Sequence, residues 1–298
     1  AIALFDRILN SNQAQPQHLV SSMYLHLRAK RYDEVAAIAA PEGGAYFTML
    51  MRAFANQDGN ASAELAIKSL NTMEGDLDAE CGTFLGNLLY LFGNKDTGIW
   101  LNEAIVKLSR HGESRVLDII RARTLMMMEE YGEAITVLDS VLDRFGEDQW
   151  THYYLAICQE EAGNFAETER HLKAYMTYIP DDPDVMNFLA YLYAEEGVKL
   201  DEALALLEKA LEADPENPYY LDSLGWLYYK QGRADEAVKN IQQAILGMDS
   251  DDAVLRDHLG DAYLLKGDVE RARAEWTRAL RLDSEITGVQ EKLDAHQP

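Results

Sequence analysis

Between Asp181 and Glu285 one pattern is written three times. Leu189-Ala190, Leu224-Gly225 and Leu259-Gly260 coincide, followed by Tyr193, Tyr228 and Tyr263. Gly197, Gly232 and Gly267 come next, then Ala203, Ala237 and Ala272, then Ala210, Ala244 and Ala279. The step from Ala190 to Gly225 to Gly260 is 35 residues each time. A unit of this length cannot bury its apolar face alone, so copies must stack and share a continuous core. The unit holds no catalytic motif, which points to a binding scaffold rather than to an enzyme.

Within 218–251, Leu221, Leu224, Gly225 and Tyr228 recur at three- and four-residue spacing and line one face of a helix. Gly232 stops that helix, because glycine adopts the left-handed conformation cheaply. A second helix carries Ala237, Val238, Ile241, Ala244 and Ile245 on its face. Gly225, Ala237 and Ala244 let the helix axes approach closely, where larger side chains would overpack. Asp214-Pro215 and Asn217-Pro218 close one unit and open the next.

These positions resemble the tetratricopeptide repeat family. Leu224, Gly225, Tyr228, Gly232, Ala237, Ile241 and Ala244 carry the resemblance in one unit. Leu259, Gly260, Tyr263, Gly267, Ala272, Trp276 and Ala279 carry it in the next. The style of units 183–286 is similar to arrays of Gram-negative bacteria, which would suit a cytoplasmic or a periplasmic address. The resemblance implies an all-α fold, a right-handed α-α superhelix of about eight helix–turn–helix repeats.

Upstream the pattern weakens. Unit 149–182 has Thr168 and Tyr175 where small residues are usual, and unit 115–148 has Glu129 in place of the turn glycine. Segment 79–114 reads as a repeat with a long turn, NKDTG, before a second helix from about Ile99. Segments 16–44 and 45–78 read as poorer repeats, and 1–10 as half of one that another copy could complete by self-association. The expected division is therefore 1–114 degenerate repeats, 115–286 well-formed repeats, and 287–298 a cap helix and tail. The chain opens on AIALFDRIL without an initiator Met, so upstream residues are expected to have been removed. A larger enzyme or an envelope assembly machine with its active part upstream of Ala1 is the alternative reading.

Fifty-one acidic against 27 basic residues give a net charge of -24. That charge repels a phosphate backbone and an anionic membrane surface, so neither nucleic acid nor membrane insertion is expected. Basic partners meet it faster. Cys81 and Cys158 lie two repeats apart, too far for an expected disulfide and too few for zinc. No cofactor is implied.

The resemblance implies that the second, fifth, ninth, twelfth and thirteenth residues of each unit line a concave groove. Carried over, these are Met126 and Met127; Trp150, Tyr153, Ile157, Glu160 and Glu161; then Asp184, Asn187, Tyr191 and Glu195. Tyr219, Asp222, Trp226, Tyr229 and Lys230 follow, and Val254, Asp257 and Asp261 end the series. The surface they make is aromatic and acidic. Polar-tipped aromatics give large contact at low rotamer cost, and carboxylates beside them suit Lys or Arg. The expected partner is a protein, as a peptide or helix with basic and apolar residues. Trp226 is expected on the groove, because Leu221, Leu224 and Tyr228 already fill that unit's core stripe. The family's basic clamp for a C-terminal carboxylate is not matched: its places hold Asn187, Tyr191, Asp222, Trp226, Asp257 and Asp261. Asp257 and Asp261 share a helix face with His258 turned about 100° away, which reads as a solvated acidic lip rather than a metal site. Of Met126, Met127 and Met128, one at least must pack inward.

Overall fold

The computed structural model describes residues 95–297. The repeats expected over 1–10, 16–44 and 45–78, the first part of 79–114, and Cys81, lie outside the described residues. Among the described residues there are twelve α-helices and no strand. They are α1 (Lys95–Leu108), then α2 (Arg115–Met127) and α3 (Tyr131–Phe145), α4 (Gln149–Glu161) and α5 (Phe165–Tyr178). Then come α6 (Pro183–Glu196) and α7 (Leu200–Ala213), and α8 (Pro218–Lys230) and α9 (Ala234–Gly247). Last are α10 (Ala253–Leu265), α11 (Val269–Leu282) and α12 (Val289–Ala295). None is long and apolar enough to cross a membrane.

Every first helix from α4 to α10 begins on a side-chain cap. Asp148 accepts from the Thr151 amide, Asp182 from Asp184 and Val185, Asn217 from Tyr219 and Tyr220, and Asp252 from Val254 and Leu255. These caps answer amides that have no partner within the helix. Each first helix from α2 to α10 also ends in one way. A left-handed residue stands after it: Glu129 (φ 62°), Gly163, Gly197, Gly232 and Gly267. Its amide and the next bond back to the helix, as Gly232 N–H to the Tyr229 carbonyl and Arg233 N–H to that of Tyr228. Such paired bonds satisfy the last carbonyls.

Close approach is visible at two glycines. A Cβ on Gly225 would stand 2.5 Å from Ile241 Cγ1, and one on Gly260 would stand 2.4 Å from Trp276 Cδ1. Trp276 thus lies in space that Gly260 leaves, fully buried. Tyr175, at the place of the later alanines, is also buried and donates its hydroxyl to Asp182 at 2.6 Å. The expected turn NKDTG is helical from Lys95 onward. Gly98 meets the Met128 side chain there, and that packing overrides the turn preference of the segment.

The described residues divide into two compact units between His171 and Leu172, within α5. The first has a core of Ile119, Ala122 and Leu125, with Ala134, Leu138, Val141, Leu155 and Cys158. Burial pushes the Cys158 thiol up to about 12, so it stays protonated and inert. The second has a core running from Ala237 and Ile241 through Leu259 and Tyr263 to Trp276 and Val289.

Candidate functional site

In the first unit, the end of α2 and the start of α4 bear the expected groove residues. Met127 is exposed, while Met126, Trp150 and Tyr153 are half-buried against the core. Trp150 meets Tyr153 edge to face, with ring centroids 6.3 Å apart. Below this surface is a histidine pair, His152 and His171, with Nδ1 atoms 2.9 Å apart. Arg170 lies 2.7 Å from His171 Nε2, and a guanidinium can only donate. His171 therefore carries its proton on Nδ1 and gives it to His152 Nδ1. Burial, helped by Arg170, pushes His171 down to about 4.

In the second unit, the first helices α6, α8, α10 and α12 place equivalent residues in columns. Asn187, Asp222, Asp257 and Lys292 form one column, each 35 residues from the next. Tyr191, Trp226, Asp261 and His296 form another, one helical turn later. Tyr219 and Val254, one turn earlier than Asp222 and Asp257, are exposed at 59% and 48%.

Trp226, expected on the open groove, is 7% exposed. Its ring is stacked between Tyr229 at 4.6 Å and His258 at 4.2 Å, and its N–H donates to Glu195. The Lys230 ammonium lies 4.8 Å from the same ring. Tyr191 also approaches His258, with centroids 6.5 Å apart and the rings tilted. The reason is that α10 supplies a ring, His258, that meets rings of both α6 and α8, which the core stripe of one repeat does not reveal. Trp226 and Tyr229 are thus packed among the first helices, and Tyr219 and Val254 stand exposed on the same helices, α8 and α10.

The carboxylates are held from within. His258 Nδ1 donates to Asp222 Oδ2 at 2.9 Å, with both residues buried. Burial pushes His258 down, but Asp222, with Asp257 and Glu195 beyond, outweighs it and holds the imidazole above its ordinary value. Asp257 and Asp261 are not a solvated lip. Lys292 of α12 donates to both oxygens of Asp257, at 2.7 and 2.9 Å, and to Asp261 Oδ2 at 2.8 Å. Trp276 N–H donates to Asp261 Oδ1 at 3.0 Å. Burial lowers Lys292, yet its two carboxylates more than offset this and raise it. Burial raises Asp257 despite the lysine. With His258 turned to Asp222 and both aspartates turned to Lys292, no metal set forms; none is found among the described residues.

His258, Trp276 and Lys292 were therefore missing from the expected site. Their signal was the register itself: Lys292 stands 35 residues after Asp257 and His258 36 after Asp222.

Residues 125–192, 160–227 and 193–246 match one family model described as tetratricopeptide repeat, and 223–285 match a second of the same description. Together these span more than half of the chain. The chain belongs to the tetratricopeptide repeat family. This tetratricopeptide array also resembles solved structures. One is a tetratricopeptide protein of Parabacteroides merdae, 18% identical over 84% of this chain and 98% of that one, with a TM-score of 0.57. Another is a thermophilic tetratricopeptide protein of Thermus thermophilus, 20% identical over 61% of this chain and 98% of that one, with a TM-score of 0.52. At these identities the likeness is one of fold. No curated protein matches the chain. Tetratricopeptide repeats are protein-interaction scaffolds.

Proposed function

We propose that this tetratricopeptide array does no chemistry itself and holds a segment of another protein along the first-helix face of its second unit. The observation that carries the reading is the pair Tyr219 and Val254. They stand exposed at one register position of adjacent repeats, on the two helices that also carry a floor of stacked aromatic rings. An interlocked floor of this kind loses little freedom on binding, so contact area converts efficiently into affinity. Acidic excess over the chain favours encounter with basic segments, and the exposed rim favours apolar ones.

The test uses the full chain and a displayed library of random linear peptides. Enriched peptides should lose about tenfold or more of their affinity for a Tyr219→Ser/Val254→Ser double variant, the scale of interface anchors. Both side chains are exposed, so melting should barely change. Peptides that bind the double variant as well as the parent would place docking elsewhere.

A further inference from the structure

On the first-helix face of the second unit, nearly every carboxylate has an internal donor. Asp184 accepts from the Tyr220 hydroxyl, and Glu195 from Trp226, with the Lys230 ammonium 3.8 Å away. Asp257 and Asp261 share Lys292. Two acceptors stand apart: Asn187 Oδ1 and Asp222 Oδ1 are buried with no hydrogen-bond partner. They occupy the same register position on α6 and α8, 35 residues apart, and belong to the column in which Asp257 takes Lys292. Asp222 is 6% exposed, and its other oxygen already holds His258.

We infer that the protein segment docking on this face inserts one arginine between α6 and α8, donating to Asn187 Oδ1 and Asp222 Oδ1, with an apolar neighbour against Tyr219 and Val254. This rests on the reading of that face as the docking surface. The chemistry selects the donor. Both orphan atoms are acceptors, so the incoming group must donate. They sit on neighbouring helices, whose axes typically lie about 8–10 Å apart, and a guanidinium presents five N–H groups in a planar fork that can serve two acceptors at once. An ammonium is a smaller, more strongly hydrated charge, so lysine fits less well. The column supplies its own precedent one step on, where Lys292 bridges two carboxylates of α10. Because the other carboxylates are already held, one basic residue is called for, not a basic run. Both acceptor atoms are buried, so entry follows rotamer changes of the side chains around them. Such rotamer changes are common at interfaces.

The probe is again the displayed peptide library, panned on the full chain, with melting recorded for each variant. Enriched peptides are expected to share one arginine beside an apolar residue. Asp222→Asn keeps an acceptor for His258 but turns an amide donor toward the guanidinium, and should weaken those peptides about tenfold or more, the loss typical of a charge-assisted hydrogen bond. Asn187→Asp adds a carboxylate beside the arginine and should tighten them about threefold or more, a gain that misfolding cannot imitate. Replacing the peptide arginine with lysine should weaken binding to the parent. Enrichment of polybasic or wholly apolar peptides, indifferent to both substitutions yet lost in the Tyr219→Ser/Val254→Ser variant, overturns the arginine and leaves the docking face standing. Peptides indifferent to all of these variants overturn both.

Discussion

At position 260 the absence of a methyl group decides where Trp276 lies. The indole occupies the space a Cβ would need, at 2.4 Å, and donates its N–H to Asp261. Gly260→Ala should therefore displace the ring and cost about 1–3 kcal/mol by overpacking, read as a lower urea midpoint with an unchanged slope. The opposite sign is expected at Glu129. This residue ends α2 with φ 62°, where four later repeats have glycine. A side chain in that conformation costs about 1–2 kcal/mol, and glycine returns part of the gain through its freer unfolded state. Glu129→Gly should raise stability by about 0.5–1 kcal/mol in the same measurement. Both expectations concern positions whose meaning is plain in the sequence, since the repeat itself marks them.

At the scale of elements, what was legible was which face a residue occupies, and what was not was which residue answers it. Leu224, Gly225 and Ala244 follow from periodicity, because close helix packing demands small or apolar groups at fixed intervals. The partners of Asp222, Asp257 and Trp226 come from other helices, 31 to 36 residues away, and periodicity is silent about them. Trp226 looked surplus to its own repeat and is covered by a ring of the next, His258. These pairings give the two units opposite responses to pH. In the first, folding holds His171 at about 4 against an ordinary 6.5, so the unfolded chain takes up a proton first. That unit should lose stability as pH falls from about 6.5 to about 4. In the second, His258 is raised, so the folded state keeps its proton longer. Its contribution is complete below 6.5 and is lost as pH rises through the raised value. Amide exchange corrected for intrinsic rates should show α4 and α5 loosening in acid and α8 and α10 tightening. His258→Gln should remove the second trend and leave the first; persistence of both would show that His258 is not its source.

Across the whole molecule, charge is lopsided, at -24, and a lysine near the end of the chain carries unusual weight. Lys292 is about one-third exposed, yet it serves two aspartates that are largely buried. Lys292→Met should cost about 1–2 kcal/mol, less than for a fully buried pair because water still reaches the ammonium. Excess negative charge acts in the other direction. Raising sodium chloride from about 10 to about 150 mM should lift the melting midpoint of the parent chain by screening self-repulsion. The same salt should recover little of the Lys292→Met loss, since the contact lies within one Debye length and is partly shielded from solvent.

The columns of the second unit also give its repeats an order, like words that agree in gender with the word that follows. Asp222 needs the histidine that only 253–286 supplies, and Asp257 needs the lysine that only the tail supplies. Shuffling these modules would keep every leucine, glycine and alanine in register and still leave buried carboxylates unanswered. An engineer rearranging this array should copy the interfaces and not the repeats.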